Sequence, residues 1–455
     1  MSAVSPLPES FNPALHGSPL KGFLKYAIPS ALGILAMSTA SVIDGIFIGR
    51  YEGSDALAAI NLVIPIFSMA FGIAYMLAVG GSVVAGKYVG EGNYTGASNI
   101  FSKTLIAALL YGVLLVVAGA SNNHSLFALL GAGPELFGAM SAYFDTLIWF
   151  LPIQIATAIY YFFVRIAGYP TLSSIALIVG AVTNLGLDWW FIVVSGDGLQ
   201  GAALATGISN IVTVSVLLLH LFKPDRWLQF IPLQSQWREL AEAAFNGLSE
   251  FVNEVSAGLI TFVLNLVIIN QLGVTGVAAF SVVSYTLFIG LLLSFSMADA
   301  LQALCSQCYG ARDARRLNEF IKIASAGVTI SALGFIALLL TQGPNLIGLF
   351  VSNNDPQLFE LALEFIHILW PVFIFNGLNV VISAYLTAIH HAAASAIIAL
   401  LRSLVFPLLW LAVLMKLLPE WSIVSALTLA EVCTLVIAAS LFIRYQPSQI
   451  FPQKP

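Results

Sequence analysis

Charge is what this chain has least of. Asp, Glu, Lys and Arg make up 9% of its 455 residues, where a soluble globular domain carries about 25%. That shortage excludes an ordinary water-soluble fold. The alternating short segments and frequent charges of a membrane β-barrel are missing as well. Cysteine is scarce too, with three in the whole chain, too few for a disulfide framework. Cys305 and Cys308 have CxxC spacing, but they lie in an apolar run with no second pair or histidine following, so neither a metal nor a redox centre is indicated. The net charge of −5 gives no basic surface for a nucleic acid. The opening MSAVSPLPESFNPALHGSPL lacks the charged start and apolar core of a signal peptide, so a short cytoplasmic leader is expected, with the first helix as its own insertion signal.

What the chain does have is apolar length: 59% of its residues are hydrophobic. A bilayer-crossing helix needs about 20 mainly apolar residues. Counting such stretches between polar breaks places spans near 24–49, 56–86, 100–120, 137–162, 172–195, 202–222, 240–271, 276–305, 319–342, 358–387, 395–417 and 421–444. The expected fold is all-α, a membrane protein of twelve transmembrane helices. Its parts are a leader (1–20), an N-terminal six-helix lobe (21–222), a cytoplasmic linker (223–239), a C-terminal six-helix lobe (240–445) and a cytoplasmic tail (446–455). With the N-terminus inside, only Arg50 and Lys416 of the 17 Lys and Arg fall on the outer side. The positive-inside bias thus puts both termini in the cytoplasm of a cell (inner) membrane.

The two halves resemble each other at an offset near 220 residues. RYEGSDALAAINLV (50–63) aligns with NQLGVTGVAAFSVV (270–283), matching Gly53 with Gly273, and Gly90 of KYVGEGN then meets Gly310 of QCYGARD. Farther on, GPELF (133–137) aligns with DPQLF (355–359) and FLP (150–152) with LWP (369–371). Six helices per half is an even number, so the lobes are expected to be related by a pseudo-two-fold axis along the membrane normal, with a cleft between them.

Against this apolar background the ionisable residues stand out. Asp44 lies ~30 Å up the first helix, in a segment (Pro29–Arg50) that also holds a helix-weakening proline, Pro29. Asp188 lies ~24 Å up the fifth helix, with Asn184 one turn earlier on the same face. Asn61, Asp145 and Asn210 share roughly that depth. Such a cluster suits protonation of one carboxylate or binding of a cation, with amides meeting the remaining hydrogen bonds. Helix capping and stapling of neighbours is the plainer alternative, chiefly for Asn61, Asp145 and Asn210. Tyr143 and several Met and Phe residues are candidates to line a greasy cleft. In the C-terminal half, Glu250, Asn253 and Glu254 form a second candidate polar site on the seventh helix, two carboxylates on one face that favour a proton or a shared cation.

GSVVAGKY (81–88) mimics a phosphate-binding loop, yet Tyr88 stands where Ser or Thr should be and no strand precedes it. No zinc pattern and no nucleophile–base pair is found, so an enzyme is not expected. No cofactor is expected, and energy would come from an ion gradient rather than from ATP.

Four motifs, in order, resemble the multidrug and toxic compound extrusion (MATE) transporters. They are SVIDGIFIGRYEGSDALAAIN in the first helix, TNLGLDWWFI (183–192) in the fifth, GDGLQGAALAT (196–206) in the turn after it, and CYGARDARR in the second half. The resemblance covers most of residues 20–445 and implies two six-helix lobes exporting amphipathic, often cationic, compounds in exchange for H⁺ or Na⁺. Carried over, Asp44 is the first-helix coupling acid, with Asn184 and Asp188 its partners and, for Na⁺, its ligands. This arrangement is similar to the prokaryotic DNA-damage-inducible branch. The tenth-helix aspartate of other branches is absent, with Asn376 and Asn379 in that helix instead. The bilayer and a small amphipathic molecule are the expected partners, and a monomer the expected state. The alternative is a lipid-linked oligosaccharide flippase of the same two-lobe superfamily, which would need a cationic lumen.

Overall fold

The computed structural model describes residues 12–130, 132–223, 226–233, 236–348, 356–417 and 422–451. Residues 1–11 of the expected leader and 452–455 of the expected tail lie outside them. The described residues contain no strand, and the expected spans are present as eleven helices and one bent pair. In chain order they are α1 (Pro19–Tyr51), α2 (Ala58–Gly90), α3 (Tyr94–Ser121), α4 (Pro134–Ile166), α5 (Pro170–Ser195) and α6 (Gly198–Phe222), followed by α7 (Leu248–Gly273), α8 (Thr275–Gly310), α9 (Ala314–Gly348), α10 (Pro356–Leu369 with Val372–Ala388), α11 (Ala392–Leu417) and α12 (Ser425–Ile450). Many large side chains on their surfaces are apolar and exposed, Leu110, Ile330 and Val436 among them. Lipid solvates such a surface, and only helices or closed barrels satisfy the backbone there.

The chain divides into two compact units, Met1–Gly247 and Leu248–Pro455. Each repeats the other's turn chemistry. Gly53 before α2 (φ 88°, ψ −175°) and Gly273 before α8 (φ 67°, ψ −163°) adopt the same backbone conformation, one that essentially only glycine reaches. The regular helix of α2 ends at Gly90 and that of α8 at Gly310. The next helices are then capped alike: Asn93 Oδ1 accepts from Gly96 N and Asp313 Oδ1 from Arg316 N, each at 2.9 Å. These side chains satisfy a backbone donor left free at the helix start. The fourth helix of each unit also breaks at a proline. A 3₁₀ turn, Ile148–Phe150, precedes Pro152 in α4, and α10 bends by 46° at Trp370–Pro371.

The linker departs from expectation at its end. Residues 240–246 do not open the seventh span; they belong to a separate short helix, Arg238–Asn246, inside the first unit. It carries Arg238, Glu239 and Glu242, with Arg238 and Glu242 paired at 3.1 Å. Gly80 of α2 and Gly247 allow its backbone to touch that of α2: an added Cβ at either would collide with a carbonyl oxygen, Ala243's or Met76's. The preceding linker is strapped along α3. Trp227 is buried, Ser98 donates to its carbonyl at 2.7 Å, and Ser102 Oγ accepts from Ile231 N at 3.0 Å. Lys103 Nζ, almost fully buried, pairs with Glu239 at 2.9 Å.

Aromatic and aliphatic side chains fill each unit's core. In the first, Phe127 meets Phe144 edge-on at 5.5 Å between centroids, beside Phe67, Met140 and Leu147. In the second, Leu264, Ile268, Phe365 and Leu411 share one cluster.

Candidate functional site

The first unit brings its two acids together by close helix packing. α1 lies along α5, and Gly33 is where they meet: a Cβ there would stand 3.2 Å from Ser174 Cα and from Leu177 Cδ1. Three turns farther up α1 is Asp44, and at the end of the regular helix of α5 is Asp188. Past Asp188, the helix widens to π pitch over Trp189–Ser195 and stops at Gly196 with φ 75°. Such widened turns often mark functional sites.

Asp188 has no exposed surface. Both of its carboxylate oxygens, and Oδ1 of Asp44, are buried with no hydrogen-bond partner. The two carboxyl groups lie within electrostatic reach of each other, and Tyr143 of α4 lies within reach of both. Among the described residues no cationic side chain acts on either acid. Asn184 sits one turn before Asp188, half-buried. A buried carboxylate without a partner is costly, and a facing pair without a counter-charge calls for a proton on one or a cation between them.

The other polar residues expected at this depth do not join the pair. Asp145 is exposed, and Asn123 Nδ2 donates to both of its oxygens, at 2.8 and 3.0 Å. Asp145 is two positions from Tyr143, about 200° round the helix, so it shares the depth of the pair and not its face. Asn210 donates to Thr206 O of its own helix at 2.9 Å, and Asn61 is exposed. Depth is legible in a sequence; rotation about the helix axis is fixed by packing. Pro29 does not break α1, which runs continuously from Pro19 to Tyr51. Its ring removes one backbone donor, and the next residue, Ser30, is buried with its hydroxyl unpartnered.

In the second unit, Asn253 Oδ1 accepts from Arg402 Nη2 at 2.9 Å, and Glu250 lies within electrostatic reach of Glu254, Asp299 and Arg402. The sequence pointed to Glu250, Asn253 and Glu254 but missed that Arg402 of α11 partners the first two and that its charge also reaches Glu431 of α12, which Asn376 and Asn379 of α10 hold. The available signals were an arginine inside an apolar span and two asparagines three apart, hence on one helix face.

Comparison with known proteins agrees with this architecture. The MatE family pattern matches residues 29–190 and 252–411. The chain is 25% identical over 436 residues to the multidrug export protein MepA of Staphylococcus saprophyticus, covering 94% of each chain. A solved structure described as the outward-facing conformation of a multidrug resistance MATE family transporter of the MOP superfamily matches with a TM-score of 0.89 at 23% identity, over 98% of this chain and 99% of that one. A Pyrococcus furiosus transporter of the MOP superfamily, for which a binding pocket of reverse polarity is said to suggest a different function, matches with a TM-score of 0.88 at 23% identity, again over 98% and 99%. The structural likenesses speak for a shared twelve-helix, two-lobe fold.

Proposed function

The chain belongs to the MatE family of transporters, and from that premise we propose that it exports amphipathic organic compounds, cations among them, in exchange for H⁺ or Na⁺ taken up at Asp44 and Asp188. The export activity named for its MepA relative supports the substrate class. The observation that carries the ion site is the pair of acids in reach of each other, with buried, unpartnered oxygens and, among the described residues, no cation acting on them. An incoming ion supplies the missing positive charge. Coupling then requires that ion and substrate prefer different conformations, since a ligand shifts an equilibrium only by its differential affinity.

The roles of the surrounding residues follow. Asn184 and Tyr143 offer oxygen atoms to an ion bound at the acids, and Pro29 leaves α1 one backbone hydrogen bond short, so that it repacks at low cost. In this reading the protein is a monomer with both termini in the cytoplasm. A flippase for a pyrophosphate-linked lipid would place cations where this unit has uncompensated acids.

The test is efflux of a fluorescent organic cation from vesicles holding the purified protein, with H⁺ and Na⁺ gradients imposed separately. One of the two gradients alone should drive efflux and so name the coupling ion. Efflux indifferent to both would end the proposal.

A further inference from the structure

A buried polar cluster in the second unit has a charge arrangement unlike that of the Asp44–Asp188 pair. Glu431 of α12 is 7% exposed, and its two oxygens accept from Asn376 Nδ2 at 2.7 Å and Asn379 Nδ2 at 2.8 Å. The amide oxygens of both asparagines are themselves buried and unpartnered, so the surroundings of Glu431 are rich in acceptors and short of donors. Glu250 of α7 lies within electrostatic reach of Glu254 of the same helix and of Asp299 of α8.

Into this acidic cluster α11 inserts Arg402, carried on a π-helical stretch, Leu401–Val405. Its charge acts on both Glu250 and Glu431. Asn253 fixes Nη2 at 2.9 Å, the Phe295 ring lies 6.0 Å from the guanidinium carbon, and Nη1 is buried with no partner.

We propose that Arg402 is a resident cation, filling between Glu250 and Glu431 the place an exchangeable ion would otherwise take. A guanidinium is charged at all working pH values and cannot leave its side chain. One guanidinium balances one negative charge of the cluster, and a second cation entering beside it would meet its repulsion in a medium of low dielectric. The two units then divide the work, with exchange confined to the Asp44–Asp188 pair and fixed compensation held by Arg402. The division rests on reading the first-unit pair as the exchange site, whereas the resident role of Arg402 is testable without transport.

The test is Na⁺-dependent thermal stabilisation of the purified full-length protein in detergent. Alkaline buffer keeps protons from filling the site, and N-methylglucamine chloride serves as the ionic-strength control. The parent is Asp44→Asn/Asp188→Asn, which silences the first unit. It should show no Na⁺ response. Adding Arg402→Gln should create a saturable upward shift of a few degrees in Tm, and adding Arg402→Lys should not. Three results would overturn the proposal: a parent that already responds, an Arg402→Gln variant that does not, or a lysine variant that responds like the glutamine one. If Arg402→Gln fails to fold, Arg402→Gln/Glu431→Gln in the same parent removes charge from both sides and should fold without a Na⁺ response. Its failure to fold would also count against a charge role. Because this readout is binding, it stands apart from the vesicle experiment, whose failure would instead bear on the function proposed above.

Discussion

Asp188 is buried with both oxygens unpartnered, a condition a fold tolerates where function uses it. Replacing it with asparagine removes the charge while keeping shape. Asp188→Asn should therefore leave the unfolding free energy unchanged or raise it by up to about 2 kcal/mol, since an uncompensated buried charge costs several, while export is lost. Denaturation and efflux measured on the same preparation check both halves. The paired glycines give a prediction of opposite sign. Gly53→Ala and Gly273→Ala each place a Cβ in open space, so their cost is backbone strain alone, about 1–3 kcal/mol. Gly258→Ala within α7, also in open space, should instead stabilise by roughly 0.5–1 kcal/mol. At this scale the sequence was readable where an ionisable group sits in an apolar run, as with Asp44 and Asp188. Depth did not give direction: Asp145, for which stapling of a neighbour was the plainer reading, turns to Asn123.

Among the elements, α1 and the linker helix carry the mechanical argument. Pro29→Ala restores one hydrogen bond to α1, so the helix should become more stable, with slower amide exchange around residues 25–33, and export should fall. The helix Arg238–Asn246 depends on backbone contact with α2. Gly247→Ala should cost about 1–3 kcal/mol, as overpacking does, and raise amide exchange across residues 238–246, where hydrogen-exchange mass spectrometry would detect it. The spans themselves were legible because twenty apolar residues between polar breaks leave little other choice. The linker helix was not, because Leu240, Ala241, Ala243 and Ala244 run on into the apolar start of α7. What separates it is tertiary: a lysine on α3 and two close-approach glycines. The bond from Asn376 to Glu431 spans 55 residues, which no local pattern reports.

For the whole molecule, architecture repeats and chemistry does not. Turn glycines, helix caps and broken fourth helices recur from one unit to the other, yet Leu264, the counterpart of Asp44 at an offset of 220, is 2% exposed in an apolar core. One unit holds acids without a counter-charge and the other holds acids facing an arginine. Among the described residues no cation acts on the first unit's facing acids, and on the proposed reading they are the set that an ion from outside fills. The measurement that bears most directly on this is gradient-driven efflux by Asp44→Asn beside the unaltered protein, with substrate binding measured on both. Binding retained within about threefold, with efflux reduced to the level of empty vesicles, is the predicted result. Efflux by Asp44→Asn at the rate of the unaltered protein would contradict it.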